Sequence, residues 1–521
     1  MDFSRRVEEW IKLHSTAVFT FLFTFVSGTF IHLYMFTNKF YNYFEMNNIL
    51  TPMSFDKGDT LAMGRWFLPL VSRLSSVFSM PVINGMICLL CLSVSACLIA
   101  DIFGIQSKVM CALTGGILVS FPGVASYLSY GVNCDVFAVS ILFAVLSGWF
   151  LLKKRTIPCS IIGGVFLALC IATYQPFMAV TIAIIYGKLF LDILFEKTGF
   201  TDFLKKFARY LIILAASFVL YYVILKIVTM ALGITVGDYH GIDEMASFTI
   251  KGIAKGTVYT YLYFIRYFFT AEYAGSFILI GVNVLLAILF IIMVVLSYRD
   301  GGKEGRGKGN LLTLILMILV LPIGVNAPPF LMADRVGNGV DRYMMFSIMV
   351  LFILLVAFLD RCKGVILPAV GTCLLVLEII CCAYICNQGY FRAEAMTVSE
   401  NNLLNRLGVK LEEDDRWNSD MPTFFGGCEE LFNSNSYMDI DAFNNLPVID
   451  GTEIKDWYNF DAVVKYMNTY MNFDIMAVDE MTRDSILITP EYKSMPLYPE
   501  KGSMDVIDGV YVVKFKEPDT D

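Results

Sequence analysis

Long apolar runs joined by short polar stretches fill the first three quarters of this chain. The first, residues 15–36, follows a polar start carrying Arg5, Arg6 and Lys12. It is longer than the core of a signal peptide and lacks a small-x-small cleavage site, so it reads as a retained span. Further runs of crossing length lie near 81–103, 109–128, 134–152, 157–174, 176–194, 208–231, 275–298, 310–328, 343–360 and 364–386. They predict about eleven transmembrane helices. The division at Tyr174–Gln175–Pro176 is the least distinct, because one long apolar run there must contain a turn.

Two stretches show helical spacing instead of a continuous run. Residues 64–79 place Phe67, Leu70, Val71, Leu74 and Phe78 on one face, with Arg65, Ser72, Arg73 and Ser76 on the other. Residues 248–274 set Lys251, Lys255, Tyr259 and Arg266 in one stripe. Both patterns predict helices lying in the membrane interface. Beyond residue 386 the periods mix. Residues 390–407 continue the last span as a helix, 421–427 and 473–478 read as short buried strands, 454–471 as a helix and 509–515 as a final strand. The division is then a membrane body at 1–386, a helical connection at 387–410 and a small acidic α/β domain at 411–521.

Charge sharpens that division. Up to Cys386 there are 28 Lys and Arg against 21 Asp and Glu, net +7; beyond it there are 11 against 26, net −15. With the N-terminus placed inside, the basic clusters at Lys153–Arg155, Lys205–Arg209, Arg299–Lys308 and Arg361–Lys363 all fall in inner loops. The first loop, the 232–274 region, the 328–342 loop and the acidic tail then fall outside, which an odd number of spans requires. Residues 299–310 read as a Gly-rich, charged inner linker. Of the 13 cysteines nearly all sit in apolar runs and serve as small hydrophobes; the tail holds only Cys428, so no disulfide framework is expected. Three scattered histidines offer no metal-ligand spacing. No internal repeat and no interrupted helix is apparent, and nearly all carboxylates before the tail avoid mid-span positions.

The stretch 54–66, SFDKGDTLAMGRW, is where chemistry is expected. It brings Asp56, Lys57, Asp59 and Arg65–Trp66 to the outer membrane edge, although Asp-Lys-Gly-Asp also suits a plain wet turn. Asp135, Asp341 and Arg342 are placed on the same side. A rim with both signs of charge suits a ligand that is part sugar and part lipid phosphate. A carboxylate takes a hydroxyl proton, Arg grips phosphate in a fork, and Lys offers a point charge. Trp66, Tyr127, Tyr130 and Tyr239 are candidates for covering sugar faces.

Gly64–Trp66 after an acidic first outer loop, Tyr174–Gln175 after a small-residue-rich span, and a polar helix from Asn387 closing the last span together resemble the Gtr-type glucosyltransferases. These are membrane enzymes that decorate bacterial O-antigen and related surface polymers. The resemblance covers roughly residues 10–410 and leaves the acidic tail out. It implies a GT-C type fold in the bacterial cytoplasmic membrane and an undecaprenyl-phosphate-linked hexose, with glucose the first candidate, as donor. It also implies transfer to a surface polysaccharide on the outer face without a nucleotide sugar. Carried over by position, Asp59 is the first catalytic candidate and Asp56 the second, with Arg65 on the donor phosphate. Many relatives carry an adjacent acidic pair or Asn-Asp, whereas Lys57 and Gly58 separate the two here.

The expected reaction is an inverting displacement with Asp59 as base. Arg65, assisted by Arg73, Lys251 or Arg342, offsets charge on the leaving phosphate. Trp66, Tyr174, Gln175 and Tyr239 are the expected sugar or acceptor contacts. Competing roles are plain: Arg73 as a snorkelling residue, Lys251 as a nonspecific lipid contact, Gln175 as a turn residue and His32 as packing. No cofactor is expected; paired carboxylates are able to hold a divalent metal, but a phosphate leaving group needs none. Expected partners are membrane lipids, a donor synthase and a flippase, with no nucleic acid. Two rival functions share this geography: a lipid-linked glycan polymerase or ligase, and a lipid-linked sugar flippase. The tail is expected to cap the site or select the acceptor, or else only to solubilise.

Overall fold

A computed structural model describes residues 2–38, 40, 59–73, 79–153, 156–196, 198–235, 249–270, 275–300, 308–332, 340–428, 446–447, 449 and 460–516. It is mostly helical. Among the described residues, eight helices are long and apolar enough to cross a membrane, or nine if one bent pair is a single span. Backbone groups in lipid must be satisfied within the segment, which is why these runs fold as helices.

After α1 (Asp2–Leu13) come α2 (Ser15–Thr37) and the short α3 (Asp59–Ala62) and α4 (Leu68–Ser72). Next are α5 (Pro81–Phe103), α6 (Lys108–Ser120), α7 (Pro122–Leu128), α8 (Cys134–Lys153) and α9 (Ile157–Thr173). A 3₁₀ turn, Gln175–Phe177, opens α10 (Met178–Phe195), and α11 (Phe200–Leu232) follows. Then come α12 (Ile250–Phe269), α13 (Phe277–Asp300), α14 (Lys308–Leu319), α15 (Leu321–Val325) and α16 (Pro328–Met332). A second 3₁₀ turn, Arg342–Ile348, leads into α17 (Met349–Arg361) and α18 (Ile366–Glu412). The expected count of eleven depends on the bent pair and on the two shorter apolar helices, Ile157–Thr173 and Asn310–Leu319.

One end of the bundle is tied by charge. Lys153 pairs with Asp101 at 2.8 Å, and Asp360 accepts from the Gln106 and Ser107 N–H groups. Arg361 donates to the Phe103 carbonyl and lies over Phe195. Lys188 and Lys206 both pair with the buried Asp192, at 2.8 and 2.6 Å. Helices α5, α8, α10 and α17 all finish at this basic end, so their starts gather at the other.

Interrupted helices, invisible in the sequence, are present. α6 and α7 meet at 46°. Pro122 has no N–H and ends α6. The carbonyls left open are taken by side chains from elsewhere: His32 Nε2 donates to Val119 O at 2.8 Å and Cys386 Sγ to Ser120 O at 3.6 Å. With Nε2 as donor, His32 Nδ1 accepts from the Tyr390 hydroxyl at 2.7 Å. His32 is thus the packing residue of a three-helix joint. Glu378, buried midway along the apolar part of α18, is an exception to the expectation that carboxylates avoid mid-span positions.

The stretch 64–79 departs from its expected amphipathic helix. Among its described residues only Leu68–Ser72 is helical, Ser72 is buried (2% exposed) and Leu70 faces out (57%). Leu68 and Val71 pack on Val136 instead. Facing lipid, an exposed leucine is as well placed as a buried one, so the apolar stripe does not say which side meets protein. α12 does match its expected helix. Its buried stripe is Gly252, Gly256, Thr260, Tyr263 and Tyr267, packed on α16 so closely that a Cβ on Gly256 would stand 2.8 Å from Phe330 O.

α18 runs 47 residues without a break. At 1.5 Å per residue that is about 70 Å, over twice the ~30 Å hydrocarbon core. Its far part carries the tail, where a four-stranded sheet has the order β2 (Met476–Ala477), β1 (Pro422–Gly426), β4 (Val510–Lys514), β3 (Met504–Ile507). β1 pairs in parallel with β2 and β4, while β3 and β4 form an antiparallel hairpin. The helices Phe460–Tyr470, Glu480–Leu487 and Pro490–Ser494 accompany the sheet. Leu403, Leu404, Leu407 and Leu411 of α18 belong to the same apolar core as Phe425, Val463 and Val512.

Candidate functional site

The site is built around a reversal in the first loop. α3 stops at Ala62, and Gly64 adopts φ 74°, a left-handed setting that suits glycine. Gly64 N–H returns to Leu61 O at 2.9 Å and Arg65 N–H to Thr60 O at 2.8 Å. The backbone of Asp59 therefore stands one residue from the carbonyl that holds Arg65. The loop is sewn to two spans: Phe67 N–H donates to Ala172 O at 3.0 Å, and the Tyr221 hydroxyl to Gly64 O at 3.0 Å.

Arg65 then meets the turn after α9. Its Nε donates to Gln175 Oε1 at 3.3 Å, and its guanidinium carbon lies 4.8 Å from the Tyr174 ring centre. Gln175 Nε2 donates back to Met63 O at 2.8 Å. Gln175 is thus bonded on both sides to the GRW loop, and Tyr174 supplies a cation–π face. Tyr174 is extended at φ −155°, ψ 107°, which is what breaks the apolar run here. Below it the rings of Phe137 (4.8 Å), Phe177 (5.0 Å) and Tyr343 (5.9 Å) form an aromatic wall, with Tyr130 5.5 Å from Tyr343. Trp66 packs beside the apolar cluster of α9 and α11; its Nε1 is buried with no acceptor among the described residues.

The sequence-selected residues fall into three groups. Arg65, Trp66, Tyr174 and Gln175 come together. Arg342 begins the 3₁₀ turn that carries Tyr343 to the same aromatic wall, and its carbonyl abuts Gly123. Arg73 and Lys251 are exposed, at the end of α4 and the start of α12. Asp56 and Tyr239 lie outside the described residues, and Asp59 is described by its helical backbone alone. Asp135, which the sequence places on the same side, is buried in the first turn of α8, two residues before Phe137 of this wall. Tyr221 and Tyr343 were not selected, because a tyrosine inside an apolar run gives no sign of which way it faces.

Chemically, a half-buried guanidinium with one edge anchored and one face stacked is a fixed cation beside a ring-lined wall. Such a pair offers charge to an anion and apolar faces to a sugar. This end of the bundle is the one opposite the basic loops.

Residues 33–359 match the family model of the glucosyl transferase GtrII, and this stretch holds both the GRW loop and the Tyr174–Gln175 turn. No curated protein and no solved structure matches the chain.

Proposed function

The chain belongs to the glucosyl transferase GtrII family, and on that premise we propose that it moves glucose from undecaprenyl phosphate to a surface glycan by inverting displacement. The acceptor oxygen bonds to the anomeric carbon as the bond from that carbon to the phosphate oxygen breaks. Asp59 takes the acceptor proton, with Asp56 as the second candidate. Arg65 faces the departing phosphate, with Arg342 nearby and Arg73 and Lys251 as outlying cations that reach the lipid headgroups. Tyr174, Gln175 and Trp66 line the sugar side.

In this reading the body is a GT-C type unit of a bacterial cytoplasmic membrane. The basic end faces the cytoplasm; the site and the acidic tail, 411–521, face outward. A synthase and a flippase supply the donor, and the tail screens the acceptor. The observation that carries the proposal is the Arg65–Gln175 bond with its Tyr174 stack, which joins two sequence-distant motifs at the end opposite the basic loops.

The test is turnover of radiolabelled polyprenyl-phosphate glucose by purified protein in detergent with the acceptor glycan. Asp59→Asn is expected to lose about 10²–10⁴-fold in rate, the usual worth of a positioned base. Normal insertion with full activity would remove Asp59 from the mechanism. Turnover of a diphosphate-linked oligosaccharide in place of the monophosphate sugar would make the protein a polymerase or ligase.

A further inference from the structure

The interruptions in the membrane helices meet. The Arg342–Ile348 turn touches each of them. A Cβ on Gly123, just past the α6/α7 break, would stand 3.2 Å from Arg342 O. The Phe346 ring lies 5.8 Å from Phe121 at that break and 6.3 Å from Phe177 in the turn that opens α10. Ser347 Oγ donates to Val325 O at 2.8 Å, at the break between α15 and α16. Non-helical backbone at membrane depth persists only where protein covers it or it lines a polar cavity.

Asn326 sits at this meeting, in the gap between α15 and α16. It is completely buried, and neither Oδ1 nor Nδ2 has a hydrogen-bond partner among the described residues. Among the described residues it is the one whose side chain has both polar atoms buried and unpaired. The surrounding backbone is satisfied: Asn326 N–H reaches Pro322 O at 3.0 Å, and Ala327 O accepts from Leu331 at 3.0 Å. Two other buried amides each spend an atom on structure: Asn84 donates to Gly131 O at 2.9 Å and Asn283 to Phe268 O at 3.2 Å. Asn326 does no such structural bonding, yet buried polar groups are nearly always paired.

We propose that Asn326 is a sugar-binding residue, its amide bridging two neighbouring hydroxyls of a hexose. Oδ1 accepts from one hydroxyl and Nδ2 donates to the next, which uses both halves of the group. A phosphate would take only the donor and leave Oδ1 facing an anion; a prenyl chain would take neither. The hexose is that of the donor, and this assignment rests on the glucosyltransferase reading above. No sequence signal marks Asn326, because LPIGVNAPPF reads only as the polar end of an apolar run.

The experiment compares the wild type with Asn326→Leu, an apolar near-match in size, and Asn326→Ala. Melting temperature is measured in detergent. Kinetics are measured with polyprenyl-phosphate glucose and with donors lacking one hydroxyl at a time. The expected result is an unchanged or higher melting temperature in at least one variant. Donor kcat/KM falls about tenfold to a hundredfold. The wild type discriminates against two adjacent deoxy positions, and the variant does not. Kinetics and discrimination that survive substitution would overturn the proposal and leave Asn326 bonded to water alone. A loss confined to the acceptor's KM would overturn the donor assignment. If the wild type uses no monophosphate donor, the broader reading fails by itself. Thermal shifts by methyl glucoside, present in the wild type and absent in both variants, then still decide whether Asn326 binds a hexose.

Discussion

Gln175 gives the sharpest test of how the site is held. It is 4% exposed and makes two bonds into the GRW loop, accepting from Arg65 and donating to Met63 O. Gln175→Ala removes both at once. A neutral bond nets about 1 kcal/mol and one to a charged group about 1.5–3 kcal/mol. The 3.3 Å separation at Arg65 puts that bond at the weak end, so together they come to about 2–3 kcal/mol. If the loss falls on the placement of Arg65 against the leaving phosphate, kcat/KM drops about 30- to 150-fold. The assay is donor turnover for the wild type, Gln175→Ala, Arg65→Lys and the double variant. Arg65→Lys keeps the charge but gives up the fork and the stack on Tyr174. If Gln175 acts through Arg65, the double variant is little worse than the poorer single one. Effects that simply add, within about 0.5 kcal/mol, would show that the two residues work separately and refute the reasoning.

Two further outcomes test the packing and the tail. Gly256→Ala puts a methyl 2.8 Å from a backbone oxygen that cannot easily move, and should cost about 1–3 kcal/mol in detergent melts. Gly281→Ala, with nothing within 4 Å, should be neutral or stabilising; a stabilised Gly256→Ala would contradict the close α12–α16 contact. In the tail, Arg416 at 2.7 Å and the Tyr511 hydroxyl at 2.6 Å hold Asp414 well below the ordinary carboxylate range. A lowered folded value means the charged form favours folding. Its contribution is therefore full above the unfolded value, about 4, and drains away as pH falls through the lower folded one. Hydrogen exchange of Val510–Lys514 should lose protection in acid more steeply in the wild type than in Asp414→Asn. Equal slopes would exclude the pairing as a source of stability.

The spans were legible because twenty apolar residues in a row have few other uses, and the tail strands at 422–426 and 510–514 because buried strands leave short apolar bursts. The hairpin partner Met504–Ile507 was missed, since Asp505 on its exposed side breaks the burst. What failed was facing. Ser72 turns inward and Leu70 outward, opposite to the polarity of their side chains, because lipid does not penalise an exposed leucine. The same blindness hid Glu378, Asn326 and, in the aromatic wall, Tyr343. GRW and the Tyr174–Gln175 turn were recognisable as motifs, but only the fold reveals that Arg65 and Gln175 touch.

The unbroken helix Ile366–Glu412 has a mechanical consequence. Some 39 Å of it, residues 387–412, extends past the apolar portion as a rod without a hinge. A lean of about 10° where it leaves the lipid would sweep its tip through roughly 7 Å. Phe473 and Ile449 grip the rod at Gly408 and Gly389, so the sheet travels with it. The thickness of the host bilayer, by setting that lean, would act at a distance on how far the tail stands from the chemistry below.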